Sequence, residues 1–225
     1  RRCRVSEVFF GIREVYTKSN LLNYEHTESA DLLSAALPKN EVVFSLENST
    51  GRWNPSNPQG AEQYLMERQE IIVKYGMMID GSIEWTDGGT LWLSEWHAPA
   101  NGLKVTFTAR EALTFANNVY TGIRSGTLYD IATAAFEQIN LPLLPNEMKR
   151  YYVDESLKEL STDFSDDDSE YTIAVVLQMI AHMGCCVLFQ DRSGKVHMEP
   201  HNSEVTDYVI NRFRSYAHPE ILLSK

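Results

Sequence analysis

Hydrophobic and polar residues alternate without a break from Leu103 to Ala109. Alternation puts every second side chain on one face of an extended backbone, so this segment predicts a half-buried strand. Glu41 to Leu46 and Gln69 to Tyr75 are rich in Val, Ile and aromatics and predict two more strands. Ile83-Glu84-Trp85 and Thr90 to Trp96 flank Thr86-Asp87-Gly88-Gly89, which reads as a hairpin turn between two further strands. Pro99-Ala100-Asn101-Gly102 predicts another turn. Asp31 to Leu37 predicts a short helix stopped by Pro38. Asn48 to Gly60, with its Asn, Ser, Gly and two Pro residues, predicts a long loop. Strands at this spacing suggest an antiparallel barrel or sandwich.

The period changes after residue 110. Leu128, Ile131, Ala132, Ala135, Phe136 and Ile139 fall on one face of a helix. Thr127 and Asp130 form a capping-box-like start, and Pro142 follows the end. Ile173, Val176, Leu177, Ile180 and Ala181 repeat the spacing, with Ser169 or Thr172 as the cap and Gly184 as the stop. Cys185 to Gln190 and Lys195 to Glu199 then flank the turn Asp191-Arg192-Ser193-Gly194 and predict a hairpin. The second region is therefore α+β. Tyr208-Val209-Ile210 predicts a short strand, and Ile221-Leu222-Leu223 opens an apolar stretch at the chain end. That stretch and the missing initiator Met suggest a portion of a longer reading frame.

Composition narrows the function classes. The chain has 225 residues, 43% of them hydrophobic, with 31 acidic against 20 basic side chains. A net charge of −11 argues against a protein that coats nucleic acid, which needs a concentrated basic face. Eight acids and one Lys fall within residues 151–170, so the acidity is mostly one segment, expected to face solvent. Ile173 to Phe189 carries no formal charge, yet Gln178, His182 and Gly184 interrupt it and no basic cluster flanks it, which argues against a membrane span. Cys3, Cys185 and Cys186 cannot build a disulfide framework, so free thiols and a reducing compartment are expected. At least one of the adjacent pair should be buried and inert.

The candidate chemistry is thin. An EF-hand loop starting at Asp163 would need Gly sixth and Glu twelfth, and it has Asp168 and Ala174. His197, Glu199 and His201 would share a strand face and suit zinc, but Pro200 interrupts them and the His-Glu-x-x-His pattern is missing. His182 falls on the polar side of its helix. There is no nucleophile elbow, phosphate loop or dinucleotide glycine pattern. No catalytic, cofactor-binding or metal-ligating residue is assigned, and no cofactor is expected. Trp85, Trp92 and Trp96 could stack on sugars or pack in a core.

The order of segments resembles the baseplate, or tail-tip, hub family of phage and prophage tail proteins. The carrying segments are Leu37-Pro38-Lys39-Asn40, Val42 to Asn48, Gly51-Arg52-Trp53-Asn54-Pro55, Tyr64-Leu65, Gln69-Glu70-Ile71 and Tyr75-Gly76. Thr90 to Trp96, Val105 to Leu113, Thr127 to Ala132 and Gly184 to Val196 continue the series. The family often carries Asp where Arg110-Glu111 stands here.

The resemblance implies an α+β, multidomain chain. Residues 1–110 would form an antiparallel β-barrel of tail-tube type. Residues 111–205 would form a smaller α+β middle domain with two helices and a hairpin, and residues 206–225 would begin a further, truncated β domain. It implies a structural, non-enzymatic protein that caps the tail tube and assembles as a ring, a trimer in full-length form. Its partners would be copies of itself and other tail proteins, with neither nucleic acid nor membrane. It would reside in the virion tail, and in the host cytoplasm during assembly. Trp53, Tyr64 and Leu65 are the expected inter-chain contacts. The alternative is a glycan-directed tail protein, a cell-wall hydrolase or a sugar-binding module using Trp85, Trp92, Trp96 and surface carboxylates. A hydrolase would need two carboxylates roughly 5–9.5 Å apart.

Overall fold

The computed structural model describes residues 14–17, 19–29, 36–57, 60, 61, 65, 68–99, 102–141 and 149–201. Residues 31–35 of the helix expected from Asp31 to Leu37, the strand expected at Tyr208, the segment from Ile221, Cys3 and Tyr64 lie outside them, as does the whole of 206–225; Ala36 and Leu37 are not helical.

The first region is a five-stranded antiparallel sheet. Its strands are β1 (Leu21–Ser29), β2 (Lys39–Glu47), β3 (Glu70–Ile79), β4 (Ser82–His97) and β5 (Lys104–Arg110), in the spatial order β1-β2-β5-β4-β3. The alternation that predicts β5 appears directly in its burial, with Val105, Phe107 and Ala109 inward. Tyr24 of β1 reaches Tyr75 of β3, hydroxyl to hydroxyl at 2.9 Å, and His26 also bonds Tyr75. Strands at opposite edges meet this way only if the sheet curls into a half-barrel. Among the described residues the two edges share side-chain contacts and no backbone pairing. A closed barrel is therefore not what these strands make by themselves. Leu46, Trp53, Leu93, Val105 and Phe107 fill one part of its interior. Val42, Val73, Leu91 and Ala109 fill another.

One sequence expectation is overturned. Thr86-Asp87-Gly88-Gly89 is not a hairpin turn but the interior of the 16-residue β4. The chain reverses earlier, at Asp80 (φ 49°) and Gly81 (φ 84°). Two successive left-handed residues match the right-handed twist of the strands they join, and Asp-Gly is well suited to that geometry. Gly88 is instead the extra residue of a bulge, since Val73 pairs with Gly89 and Lys74 with Asp87. A Cβ there would stand 2.7 Å from both Val73 and Tyr75 side chains.

The second region is α+β. Helices α1 (Leu128–Ile139) and α2 (Ile173–Met183) pack with a three-stranded sheet ordered β7-β10-β9. β7 is Tyr151–Val153, β9 Cys186–Gln190 and β10 Val196–Pro200, with β6 (Ser125–Thr127) and β8 (Ser161–Asp163) forming a short pair. The side chain of Thr127 accepts from Asp130 N–H at 3.1 Å, and that of Thr172 accepts from Val175 N–H at 3.3 Å, so both predicted caps hold. α2 stops at Gly184 as expected, but Gly184 is not its left-handed residue. Gly184 has φ −86°, and the left-handed residue is Cys185, φ 50°. Gly184 is required by space, because a Cβ would fall 2.4 Å from Leu157 Cδ2. The inner faces of both helices, Leu157, Leu188, Val196 and Met198 make the second core, and Trp92 from β4 is inserted into it.

Candidate functional site

Strand registers define a projecting arm. β4 pairs with β5 from Trp92↔Arg110 to His97↔Thr106, while β3 pairs with β4 from Glu70↔Trp92 out to Ile79↔Ser82. Residues 71–79 and 82–91 therefore continue past the end of β5 as a two-stranded ribbon. The base of the ribbon is buried, at Val73, Thr90 and Leu91. Beyond the Gly88 bulge nearly every residue is exposed.

Directly paired residues share a face of such a ribbon. One face of the arm therefore presents Ile72, Met78, Ile83 and Trp85, which are 59%, 67%, 52% and 60% exposed. Gly76 belongs to the same face, and the Trp85 ring and Ile83 occupy the space a Cβ would take there, both at 2.9 Å. Lys74 and Asp87 cross this face between Trp85 and Ile72 with an ion pair at 3.3 Å. The other face carries Tyr75 and Met77.

At the base of the arm a shallow cleft of about 280 Å³ runs to the β9–β10 turn, between Glu70, Lys74 and Asp87 on one side and Arg150 and Arg192 on the other. Arg150 is 5% exposed, bonds Glu70 at 2.5 Å, and lies over the fully buried Trp92 ring at 5.4 Å. The turn also satisfies the edge of β4 that β5 leaves unpaired. Gln190 Nε2 donates to Thr90 O at 2.9 Å, and Arg192 donates to Asp87 O at 2.8 Å. The two regions are thus joined by capping of a strand edge.

The other predicted residues are scattered. Trp53 is 5% exposed, with its backbone N–H on Asn48 Oδ1 at 2.9 Å and its ring edge-on to Phe107. Its loop is wound by a series of turns, Gly51, Asn54, Asn57 and Gly60 each donating to the carbonyl three residues back. Leu65 packs half-buried against the same core. Of the three Trp residues considered for sugar stacking, Trp92 is fully buried, Trp96 packs on the sheet core, and Trp85 lies on the arm. They form no row.

His197 is held on both nitrogens, by Glu199 at 2.7 Å and Asp191 at 3.1 Å, and stacks on Phe189. His201 and His182 are exposed. Among the described residues no group of three His, Cys, Asp or Glu is placed to hold a metal ion. The acidic run is mostly exposed and structured locally. Asp163 and Asp167 accept from the N–H groups of Ser165 and Ser169, and Arg124 clamps the carbonyls of Asp167 and Ser169. These bonds hold the Asp167 carboxyl down at about 2, the largest share coming from Ser169.

Two buried groups titrate far from their ordinary range. Glu111 is 2% exposed, and burial pushes its carboxyl up to about 8 against a backbone hydrogen bond from Asn40 that pulls it down. Cys186 is buried and its thiol rises to about 11, mainly through burial, while Cys185 is exposed.

Sequence reading missed the arm, although Asp80-Gly81 between two apolar runs carried the signal.

No family model matches the chain, and no curated protein matches it. Among solved structures, the chain is similar to a 43 kDa tail protein of prophage MuSo2 from Shewanella oneidensis, with 12% identity and a TM-score of 0.43. The match covers 78% of this chain and 53% of that one, so the chain spans about half the length of that protein.

Proposed function

We propose that the chain is a structural component of a bacteriophage or prophage tail, a baseplate or tail-tip hub whose copies assemble as a ring that caps the tail tube. The observation that carries this reading is the order of units. A curled antiparallel sheet comes first, and an α+β unit with two helices and a hairpin follows, docked on the sheet's own unpaired edge. That is the order the hub resemblance implies. Half-barrels also suit ring assembly, because a neighbouring chain can cover edges and apolar faces that one chain leaves open.

The reading gives the protein no catalytic step. Its partners are copies of itself, three in the full-length form, and other tail proteins. Its place is the virion tail, after assembly in the host cytoplasm. It involves neither nucleic acid nor membrane; no described helix is long and apolar enough to cross a bilayer.

Sedimentation equilibrium of the full-length gene product tests the reading, with a trimeric mass expected. A product that stays monomeric at high concentration overturns it. Isolated peptidoglycan incubated with the protein should remain turbid, and clearing would overturn the non-enzymatic assignment.

A further inference from the structure

The arm exposes apolar surface that the other described residues of its chain leave uncovered. An isolated two-stranded ribbon is marginal in water without a packed face. Beyond the bulge this one packs little of either face. Ile72, Met78, Ile83 and Trp85 are more than half exposed on one face, with Tyr75 and Met77 at 42% and 52% on the other. At about 200 Å² per large side chain, the four on the first face leave on the order of 500 Å² of apolar surface in water. That is toward the upper end of what a monomer's surface carries, roughly 300–600 Å², and more than half of the ~800 Å² that each partner buries in a stable interface.

A second apolar set stands at the other end of the same sheet. Val15, Leu22 and Leu103 are 83%, 57% and 70% exposed. Leu21 pairs with Leu46, Lys104 pairs with Glu47, and Leu103 accepts from Asn48 N–H, which puts Leu22 and Leu103 at that end. The arm leaves the sheet from the opposite end, past Arg110. At ~3.3 Å per residue, the 16 residues of β4 separate the two ends by roughly 50 Å. A chain therefore cannot cover its own arm with its own distal patch.

We infer that the face of the β3–β4 arm bearing Ile72, Met78, Ile83 and Trp85 docks on a second copy of this chain, head to tail, against the end of the sheet bearing Val15, Leu22 and Leu103. Such a contact is heterologous, and heterologous contacts generate rings when the rotation closes. The inference rests on the ring reading above and names the surface that would carry it. Trp85, laid over Gly76, is the anchor, since large buried aromatics carry much of an interface's binding energy.

Sedimentation velocity over a concentration series tests the contact with two exposed-site variants, Met78→Lys on the arm and Leu103→Lys on the receiving end. Unchanged thermal melts establish that both fold. The parent chain is expected to self-associate, and each variant to associate roughly tenfold more weakly or less. Mixing the two variants is expected to restore a 1:1 complex that grows no further, because one intact arm then meets one intact receiving end. A parent that remains monomeric at high micromolar concentration overturns the inference, while the full-length product still tests the ring. Association that survives both substitutions overturns the arm and leaves the ring. Loss with Met78→Lys alone, or a mixture that stays monomeric, overturns the head-to-tail arrangement.

Discussion

Gln190 donates through Nε2 to the carbonyl of Thr90 at 2.9 Å, across 100 residues of sequence. Its Oε1 accepts from the Ala112 N–H, also at 2.9 Å. One side-chain amide thereby fastens the edge of β4, the start of the second region and the end of β9. Gln190→Leu keeps the volume and removes both bonds, leaving a buried carbonyl and a buried N–H without their partner. Each such loss costs about 1–3 kcal/mol. Urea denaturation should show a destabilisation of a few kcal/mol for Gln190→Leu.

Glu111 sets a pH dependence. Its ordinary value is 4.5 and its folded value about 8, raised by burial. Between those values the native state holds a proton that the unfolded chain has released. Its contribution to stability is complete below about pH 4.5 and is lost as pH rises toward 8, at a slope near 1.4 kcal/mol per pH unit. Glu111→Gln is always neutral. The stability difference between the variant and the parent, read from denaturant midpoints at pH 5, 6 and 7, should widen in the variant's favour as pH rises.

Gly184 meets Leu157 where a side chain would stand. Gly184→Ala should destabilise by roughly 1–3 kcal/mol through overpacking. Leu157→Ala alone should also destabilise, by about 2–5 kcal/mol, through the cavity it opens. The double variant should be more stable than the sum of the two losses predicts, because the new methyl enters the vacated space. A double-mutant cycle with no coupling would contradict this packing.

The thiols should separate by rate. Cys185 is exposed, and Cys186 is buried with its thiol raised to about 11. A chromogenic disulfide reagent at pH 8 should modify Cys185 readily and Cys186 only after denaturant is added. Cys185→Ser removes the signal of the accessible member of the pair and identifies it.

Local chemistry made much of this protein legible in its sequence. Strict alternation marked β5, spacing of apolar residues marked α1 and α2, and Thr127 and Thr172 marked their caps, because each depends on neighbours a few residues away. The misreading at Thr86-Asp87-Gly88-Gly89 shows the limit of that logic. Two adjacent glycines satisfy a bulge as well as a turn, and only the pairing of Lys74 with Asp87 and Val73 with Gly89 decides between them. Burial of Trp92 and Trp53, and exposure of Trp85, depend on which strand ends first and what packs against its edge. The same register, with β5 stopping at Arg110 while β3 and β4 run on, produced the arm. Sequence determined the elements, because propensity and periodicity are local. Tertiary structure decided which face of each element meets protein and which meets water, because that depends on where distant strands begin and end.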